Sequence, residues 1–451
     1  MAGRVAEDVM EQEIKNEMKQ RILAELDMSQ EIDDMEVRRL VDQCIMEYKG
    51  TTELPLPARI KLRKELFNTV RRMDVLSEFL EDESVTEIMI NGYDNIFIER
   101  SGRVYKVDQT FENEERLASI IQQIVAGCNR IVNEAVPIVD ARLADGSRVN
   151  VVLPPISLNG PTMTIRKFPK EKMTMERLIE VGALSEDAAE FLKRLVKARY
   201  NIFVSGGTGA GKTTFLNALS DYIPQQERVI TIEDSAELQL KNVVNLVRLE
   251  SRNSNVEGTN AVTIRELIKS SLRMRPDRVI VGEVRDAAAI DMLAAMNTGH
   301  DGSLSTGHAN SSGDMITRLE SMVLMGMELP LEAVRRQIAS AVDVIIHLGR
   351  LRDGSRKVLE IAEVTGMREG LVELHTIYEF EEMVAGEEQE VTDMVYAAAG
   401  TLSEQNVTDG FQLHKVTGRL RARAELLHQE KFLRAGIAYK SVLCAEVRSE
   451  G

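Results

Sequence analysis

Tyr200–Thr214 reads YNIFVSGGTGAGKTT. The order is strand, glycine-rich turn, helix start. Asn201–Ser205 is a β-prone run centred on Ile202, Phe203 and Val204. Gly206, Gly211, Lys212 and Thr213 then satisfy G-x-x-x-x-G-K-[ST]. Glycines at 206, 207, 209 and 211 reach positive φ cheaply and lack Cβ, so backbone N–H groups can turn inward around a phosphate. A helix starting near Gly211 aims its positive end at the same anion. Lys212 is placed for the β- and γ-phosphates and the Thr213 hydroxyl for Mg²⁺. The predicted nucleotide site is Gly206, Gly207, Thr208, Gly209, Ala210, Gly211, Lys212, Thr213 and Thr214. The competing reading is a glycine-rich turn that matches by accident. The strand before it and the helix after it favour the phosphate loop.

From this loop outward, the 451-residue chain has room for two to three domains. An apolar share of 43% and a charged share of 28% are those of an ordinary globular protein. The net charge of −16, the lack of Trp and an aromatic share of 4% argue against a nucleic-acid surface. Cys44, Cys128 and Cys444 are far apart in sequence, which suggests neither a zinc site nor a disulfide framework. No run of 18 apolar residues is present, and the first residues lack the apolar core of a signal peptide.

Three domains are expected. Residues 1–75 read as helical, with stripes Ile14, Met18, Ile22, Leu26, then Val37, Leu40, Val41, Cys44, Ile45, Tyr48, then Ile60, Leu66, Val70, Met73. Acidic residues outnumber basic ones over the first fifty. A solvated face and a docking surface both fit that excess. Residues 76–168 read as a small α+β domain. Its strands are predicted at 85–91, 95–100, 103–107 and 162–168, its helix at 117–128, and a hairpin turns at Asp145-Gly146. Residues 169–451 alternate strands and helices, the mark of a mostly parallel α/β sheet. Strands are expected at 201–205, 229–233, 278–282, 303–306, 342–348 and 357–364. A helical part is expected from about 366, including Leu420–Arg434.

Three further elements accompany the loop. TIEDSAEL (231–238) ends a strand in Glu233 and Asp234, where open α/β sheets bind ligands; acids at a helix start are the alternative. RPDRVIVGEVRD (275–286) ends a buried strand in Gly282 and Glu283. A carboxylate there can hold Mg²⁺ through water or polarise an attacking water. Asp286 reads as a cap on the next helix. TGHDGSLSTGHAN (298–310) brackets a strand with His300 and His308, read as candidate γ-phosphate sensors against a structural role for each.

GGTGAGKTT (206–214), TIEDSAEL (231–238), LRMRPDRVIVGEVRD (272–286) and STGHAN (305–310) occur in that order. Together they resemble the type II/type IV secretion ATPase superfamily. Upstream, TEIMINGYDNIFIERSGR (86–103) and DARLADGSRVNVVLPP (140–155) look closest to CpaF-like ATPases of the tight-adherence (Tad) pilus. The resemblance covers roughly residues 56–370, and more weakly the C-terminal 80. It implies a RecA-like P-loop ATPase domain, preceded by a small PAS-like α+β domain and here also by the N-terminal helical domain. It implies ATP and Mg²⁺ as cofactors and a ring of six copies. Expected partners are inner-membrane platform proteins of a pilus or secretion system. Location would be cytoplasmic and peripheral at that membrane through those partners, with no nucleic acid. It assigns Glu283 the catalytic carboxylate, Glu233 the acidic box, with Mg²⁺ as a partner directly or through water, and His308 the histidine box. It also carries Arg142, Arg148 and Arg166 to the phosphates, although the residues alone read as surface arginines on a hairpin. The tetracysteine zinc motif of many type II secretion relatives is missing.

The function expected on these grounds is Mg²⁺-dependent hydrolysis of ATP, driving pilin assembly or secretion. A RecA-like nucleic-acid motor and a nucleotide-dependent scaffold without a motor cycle are the rivals.

Overall fold

A computed structural model describes residues 18, 21–22, 34–47, 59–60, 62–63, 66, 75–100, 102–128, 130–168, 173–252, 261–382 and 416–443. The chain falls into two compact units that part between Lys170 and Glu171.

In the first unit, strands β1 (Val85–Asn91), β2 (Ile96–Arg100), β3 (Arg103–Lys106), β4 (Ile138–Arg142), β5 (Arg148–Val152) and β6 (Thr162–Arg166) form one sheet in the order β3-β2-β1-β6-β5-β4. Every neighbouring pair is antiparallel. Alternate residues point inward: Ile88 and Ile90, Ile96 and Ile98, Val149 and Val151, Met163 and Ile165. They meet Leu117, Ile120, Ile121, Ile124 and Val125 of the helix Glu114–Gly127, one stripe at helical spacing. That helix starts because the Asn113 side chain accepts from the Arg116 N–H at 2.8 Å. Further toward the N-terminus, Met18, Ile22, Val41, Cys44, Leu62 and Leu66 form a separate small core. Five of these six were expected on helix faces. Ile60 was expected inward but is exposed, and Leu62 takes the inward place. Ile14, Leu26, Tyr48, Val70, Met73 and the Val37 side chain lie outside the described residues.

In the second unit, β7 (Ile202–Gly206), β8 (Arg228–Glu233), β9 (Asn245–Glu250), β10 (Arg278–Val281), β11 (Leu304–Gly307), β12 (Val344–Arg350), β13 (Arg356–Arg368), β14 (Leu371–Glu382) and β15 (Gly418–Ala422) form one sheet. Their order is β15-β14-β13-β12-β7-β11-β10-β8-β9. The six strands from β12 to β9 are parallel, and β13 to β15 continue antiparallel. Both faces of the parallel part are covered, so β7, β8, β10, β11 and the first part of β12 are buried almost throughout rather than alternating. Ile202 and Val204 face one core together with the helices Met175–Glu180, Glu186–Lys197 and Lys212–Ser220. Phe203 faces the other, made with Ile264–Ser271, Ala288–Asn297, Ser312–Gly326 and Leu331–Ala341. Parallel register brings the carboxyl ends of β7, β8, β10 and β11 to one end of the sheet.

The helical part expected beyond about 366 is not what forms. β13 runs to Arg368 and turns at Glu369-Gly370 into β14. Both turn residues have positive φ, 53° and 80°, the geometry of a tight primed hairpin turn. Within the expected helix Leu420–Arg434, residues 420–422 belong to strand β15, and only Glu430–Arg434 is helical. Leu420 and Ala422 are buried on one side of β15, while Arg421 pairs with Glu381 across it. Pairing with the edge of β14 overrides a charged local sequence that favours helix. Strand β9 was not foreseen either; it is half-buried and joins the sheet beside β8.

Candidate functional site

β7 delivers the chain into the phosphate loop as its residues predict. Gly206, Gly209 and Gly211 have φ of 158°, 72° and 91°. At Gly206 the requirement is also one of space, since a Cβ there would stand 2.6 Å from the Leu348 carbonyl oxygen. Gly211 is the N-cap of the helix Lys212–Ser220, so the first free N–H groups of that helix open onto the loop.

Lys212 is 7% exposed. Its Nζ donates to the carbonyls of Gly206 and Gly207, both at 3.0 Å, and stands 3.2 Å from His308 Nδ1. Burial pushes its pKa below the ordinary lysine value, against the opposing pull of Glu283. The ammonium thus rests on the loop's own carbonyls, a local arrangement that an incoming phosphate can replace.

His308 follows β11 and joins Lys212 to Glu283. Its Nε2 lies 2.8 Å from Glu283 Oε1. Burial and then the Lys212 charge lower the His308 pKa, and Glu283 works in the opposite sense. A neutral imidazole that accepts from Lys212 at Nδ1 carries its proton on Nε2, facing Glu283. Glu283 Oε2 accepts from Arg285 at 2.8 Å, and Arg285 reaches Asp234 at 3.5 Å. The strand ends are pinned to each other: Thr306 Oγ1 donates to Gly282 O at 2.7 Å, and Val284 N to Thr306 O at 2.9 Å. His308 and Glu283 are therefore held in register by the backbone.

Glu233 closes β8 and is 3% exposed. Its Oε2 accepts from Glu237 N at 2.7 Å and Leu238 N at 2.8 Å. Burial raises its pKa above the ordinary carboxyl value. A Cβ at Gly282 would stand 2.9 Å from Glu233 Cγ. That explains why glycine, not an acid, ends β10: Glu233 already fills the space beside it. Oε1 of Glu233 is buried without a hydrogen-bond partner among the described residues, whereas both oxygens of Glu283 are met, Oε1 by His308 and Oε2 by Arg285. An unpartnered buried carboxylate oxygen and the half-buried hydroxyl residue Thr213 at the start of the loop's helix are oxygen donors of the type that suit a hard cation such as Mg²⁺.

His300 does not join the site. It lies before β11, at the opposite end of the strand from His308, with its Nδ1 3.2 Å from the Ala295 carbonyl oxygen. Asp286 lies one residue before the N-cap, which is Ala287, and its Oδ1 accepts from Ala288 N, the first N–H of the helix, at 2.8 Å. A cavity of about 380 Å³ opens beside His308, with Arg285, Asn310, Arg318 and Met325 in its lining.

In the first unit, Arg142, Arg148 and Arg166 end up side by side. Arg142 is directly opposite Arg148 across β4 and β5, and Arg148 is opposite Arg166 across β5 and β6. No local pattern in the sequence encodes that register. The turn that sets it has Gly146 at φ 94°, and Asp145 accepts from Ser147 N at 2.9 Å.

Sequence reasoning passed over Arg285, His347 and Arg356. Arg285 stood in a quoted stretch but had no visible partner. His347 packs on Ser205 Oγ at 3.2 Å, and Arg356 Nε donates to Gly209 O at 2.7 Å. Both come from strands over 130 residues downstream, and only the sheet order brings them to the loop.

Residues 71–431 match the family described as type II/IV secretion system protein. A putative conjugal transfer protein of Mycobacterium tuberculosis is 34% identical over 356 residues, 78% of this chain and 99% of that protein. The probable conjugal transfer protein TrbB of Sinorhizobium fredii is 33% identical over 308 residues, 67% of this chain and 90% of that protein. The crystal structure of the VirB11 ATPase from the Brucella suis type IV secretion system, in complex with sulphate, is 31% identical. It covers 64% of this chain and 92% of that one, with a TM-score of 0.36. The family match spans most of the chain, with the phosphate loop, Glu233, Glu283 and His308 inside it: this protein belongs to the type II/IV secretion system protein family.

Proposed function

We propose that this chain binds and hydrolyses ATP and uses the cycle to drive pilus assembly or secretion. The observation that carries this reading is the line Lys212–His308–Glu283 at the mouth of a formed phosphate loop. A cation for phosphate, a neutral imidazole and a carboxylate stand in sequence there. Hydrolysis of a phosphoanhydride needs positioning and charge neutralisation more than covalent help.

In this reading Lys212 leaves the carbonyls of Gly206 and Gly207 for the β- and γ-phosphates. Loop amides and the helix N-terminus hold the same oxygens. Glu283 orients and deprotonates the attacking water. His308, touching both Lys212 and Glu283, couples phosphate occupancy to the position of the carboxylate. Thr213 and Glu233 would hold Mg²⁺, which would neutralise charge on the phosphates. Arg142, Arg148 and Arg166 are assigned to the γ-phosphate, where guanidinium forks suit phosphate oxygens.

The finer reading is a RecA-like motor domain behind a PAS-like domain, six copies in a ring, and CpaF-like service to a Tad-type pilus. The motor would work at the cytoplasmic face of the inner membrane, on platform proteins there. The ordered motifs and the conjugation and secretion relatives support it. No helix among the described residues is long and apolar enough to cross a membrane, which is compatible with docking through partners.

Calorimetric titration beside steady-state phosphate release tests the chemistry. Lys212→Ala is expected to abolish measurable nucleotide binding. Glu283→Gln is expected to bind ATP normally and to lose about 10²–10⁴ in turnover. Near-normal turnover in Glu283→Gln would remove it as the catalytic carboxylate.

A further inference from the structure

The turn from β12 to β13 lies against the phosphate loop. β12 backs directly onto Gly206 through the Leu348 carbonyl. The turn beyond is tightly closed: Leu351 N donates to Ser355 O at 2.8 Å, and Asp353 Oδ1 accepts from the N–H and hydroxyl of Ser355 at 2.9 and 2.6 Å. Across its neck, Arg350 and Arg356 are direct partners in the antiparallel register. Like charges directly opposite each other on one face of such a pair are destabilising. Arg352 has a carboxylate, Glu382, at 3.0 Å. Among the described residues no carboxylate pairs with Arg350 or Arg356, and both are exposed. Arg356 instead lies along the loop. Its Nε donates to Gly209 O at 2.7 Å, and its Cδ is 3.4 Å from where a Cβ on Gly211 would stand.

A rigid turn that holds two uncompensated guanidinium groups beside a phosphate loop is costly unless an anion joins them. We propose that Arg350 and Arg356 form a clamp for the phosphate chain of the bound nucleoside di- or triphosphate, in addition to Lys212. The clamp rests on the nucleotide reading above. Nε of Arg356 is spent on Gly209, which fixes the direction of the fork and leaves the two Nη groups for phosphate oxygens. Arg350, opposite it, supplies the second charge. The bound anion offsets the repulsion that the empty turn carries, so the two arginines contribute more with ligand than without.

This predicts opposite signs for stability and affinity. Arg350→Gln and Arg356→Gln each remove one of the two like charges. Neither variant should melt below the wild type without ligand. Both should bind ADP and inorganic pyrophosphate about tenfold more weakly, and both should gain less thermal stabilisation from either ligand. The experiment is titration of the full-length chain with ADP and with pyrophosphate, beside melting curves with and without each, at low and high salt. Added salt should weaken ligand binding less in the variants than in the wild type. If affinity in both variants stays within twofold of wild type while Lys212→Ala loses binding, the clamp is overturned and the nucleotide reading stands. If only Arg356→Gln loses affinity and also melts lower without ligand, Arg356 is a clip on Gly209 and the clamp is overturned. Weaker ADP binding with unchanged pyrophosphate binding overturns it as well, since the contact then lies on the nucleoside. A wild-type chain that binds neither ligand overturns the nucleotide reading and the clamp with it.

Discussion

The two ends of the nine-stranded sheet use charge in contrasting ways. At the amino ends of the parallel strands the buried charges of the described residues are met. Arg278 is 0% exposed, yet it pairs with Glu227 and donates to the carbonyls of Val196 at 2.8 Å and Gly302 at 3.2 Å. Asp343 accepts from Asn201 N at 2.6 Å and from Lys431, also at 2.6 Å, and Lys431 reaches Asp301 at 2.8 Å. These bonds tie the helix Glu430–Arg434, late in the chain, to the base of the sheet. At the carboxyl ends the charges are only partly met. The Oε1 of Glu233 is buried without a hydrogen bond, Lys212 sits on its own loop, and Arg350 opposes Arg356. A buried network that closes on itself stabilises the fold. One left open stores cost that a ligand can release, and this is the pattern expected where function sits.

The sharpest way to break that contrast is at the closed end. Arg278→Ala removes one member of a buried pair and leaves Glu227, which is 13% exposed in its side chain, with Arg199 at 3.2 Å as its remaining cation. Loss of about 3–5 kcal/mol is expected on the scale of such pairs. Denaturant unfolding followed by a probe of the second unit measures it. A loss below about 1 kcal/mol would show that the closed end is no more committed to stability than a surface pair.

The next largest effect concerns the arginine row of the first unit. Arg142, Arg148 and Arg166 are in line across three strands. If the row serves the γ-phosphate, each Arg→Ala should lower hydrolysis by about tenfold or more while ADP affinity stays within a few-fold. Arg→Lys should restore little, because lysine lacks the fork. ATPase rates beside ADP titrations for the six variants decide it. Unchanged hydrolysis in all three alanine variants would leave the row as sheet-surface arginines.

What the sequence made legible follows from range. The phosphate loop is local: its glycines, its lysine and its helix start lie within fifteen residues, and each takes the conformation its type favours. Glu233, Glu283 and His308 each follow an apolar strand, and parallel strands bring such ends together once the sheet forms. His300 misled because its triplet copies that of His308, although a strand separates their two ends. Arg356, His347 and the arginine row depend on strand order and register, which no local pattern encodes. The C-terminal strands were misread for a related reason. Arg419, Arg421 and Arg423 alternate with Leu420 and Ala422 at the period of a strand, but the run is short, and the residues that place Arg421 and Arg423, Glu379 and Glu381, come from β14, far away in sequence.

The finest test lies at the open end, at Glu233. Its pKa is raised by burial, so the folded chain holds this proton above pH 4.5, where the unfolded chain has begun to release it. Over the window from 4.5 up to the folded value, the folded state binds more protons. Its stability must therefore fall as pH rises through that window, and the loss persists at neutral pH. Glu233→Gln keeps a carbonyl for the N–H groups of Glu237 and Leu238 and removes the buried charge. It should be at least as stable as wild type at pH 7, by about 1 kcal/mol or less, and lose this part of the pH dependence. It should also hydrolyse ATP more slowly if the carboxylate serves the metal. Melting temperatures from pH 4 to 8, beside ATPase rates, separate the two effects. A variant that is less stable at pH 7 and equally active would mean that Glu233 belongs with the closed network at the other end of the sheet.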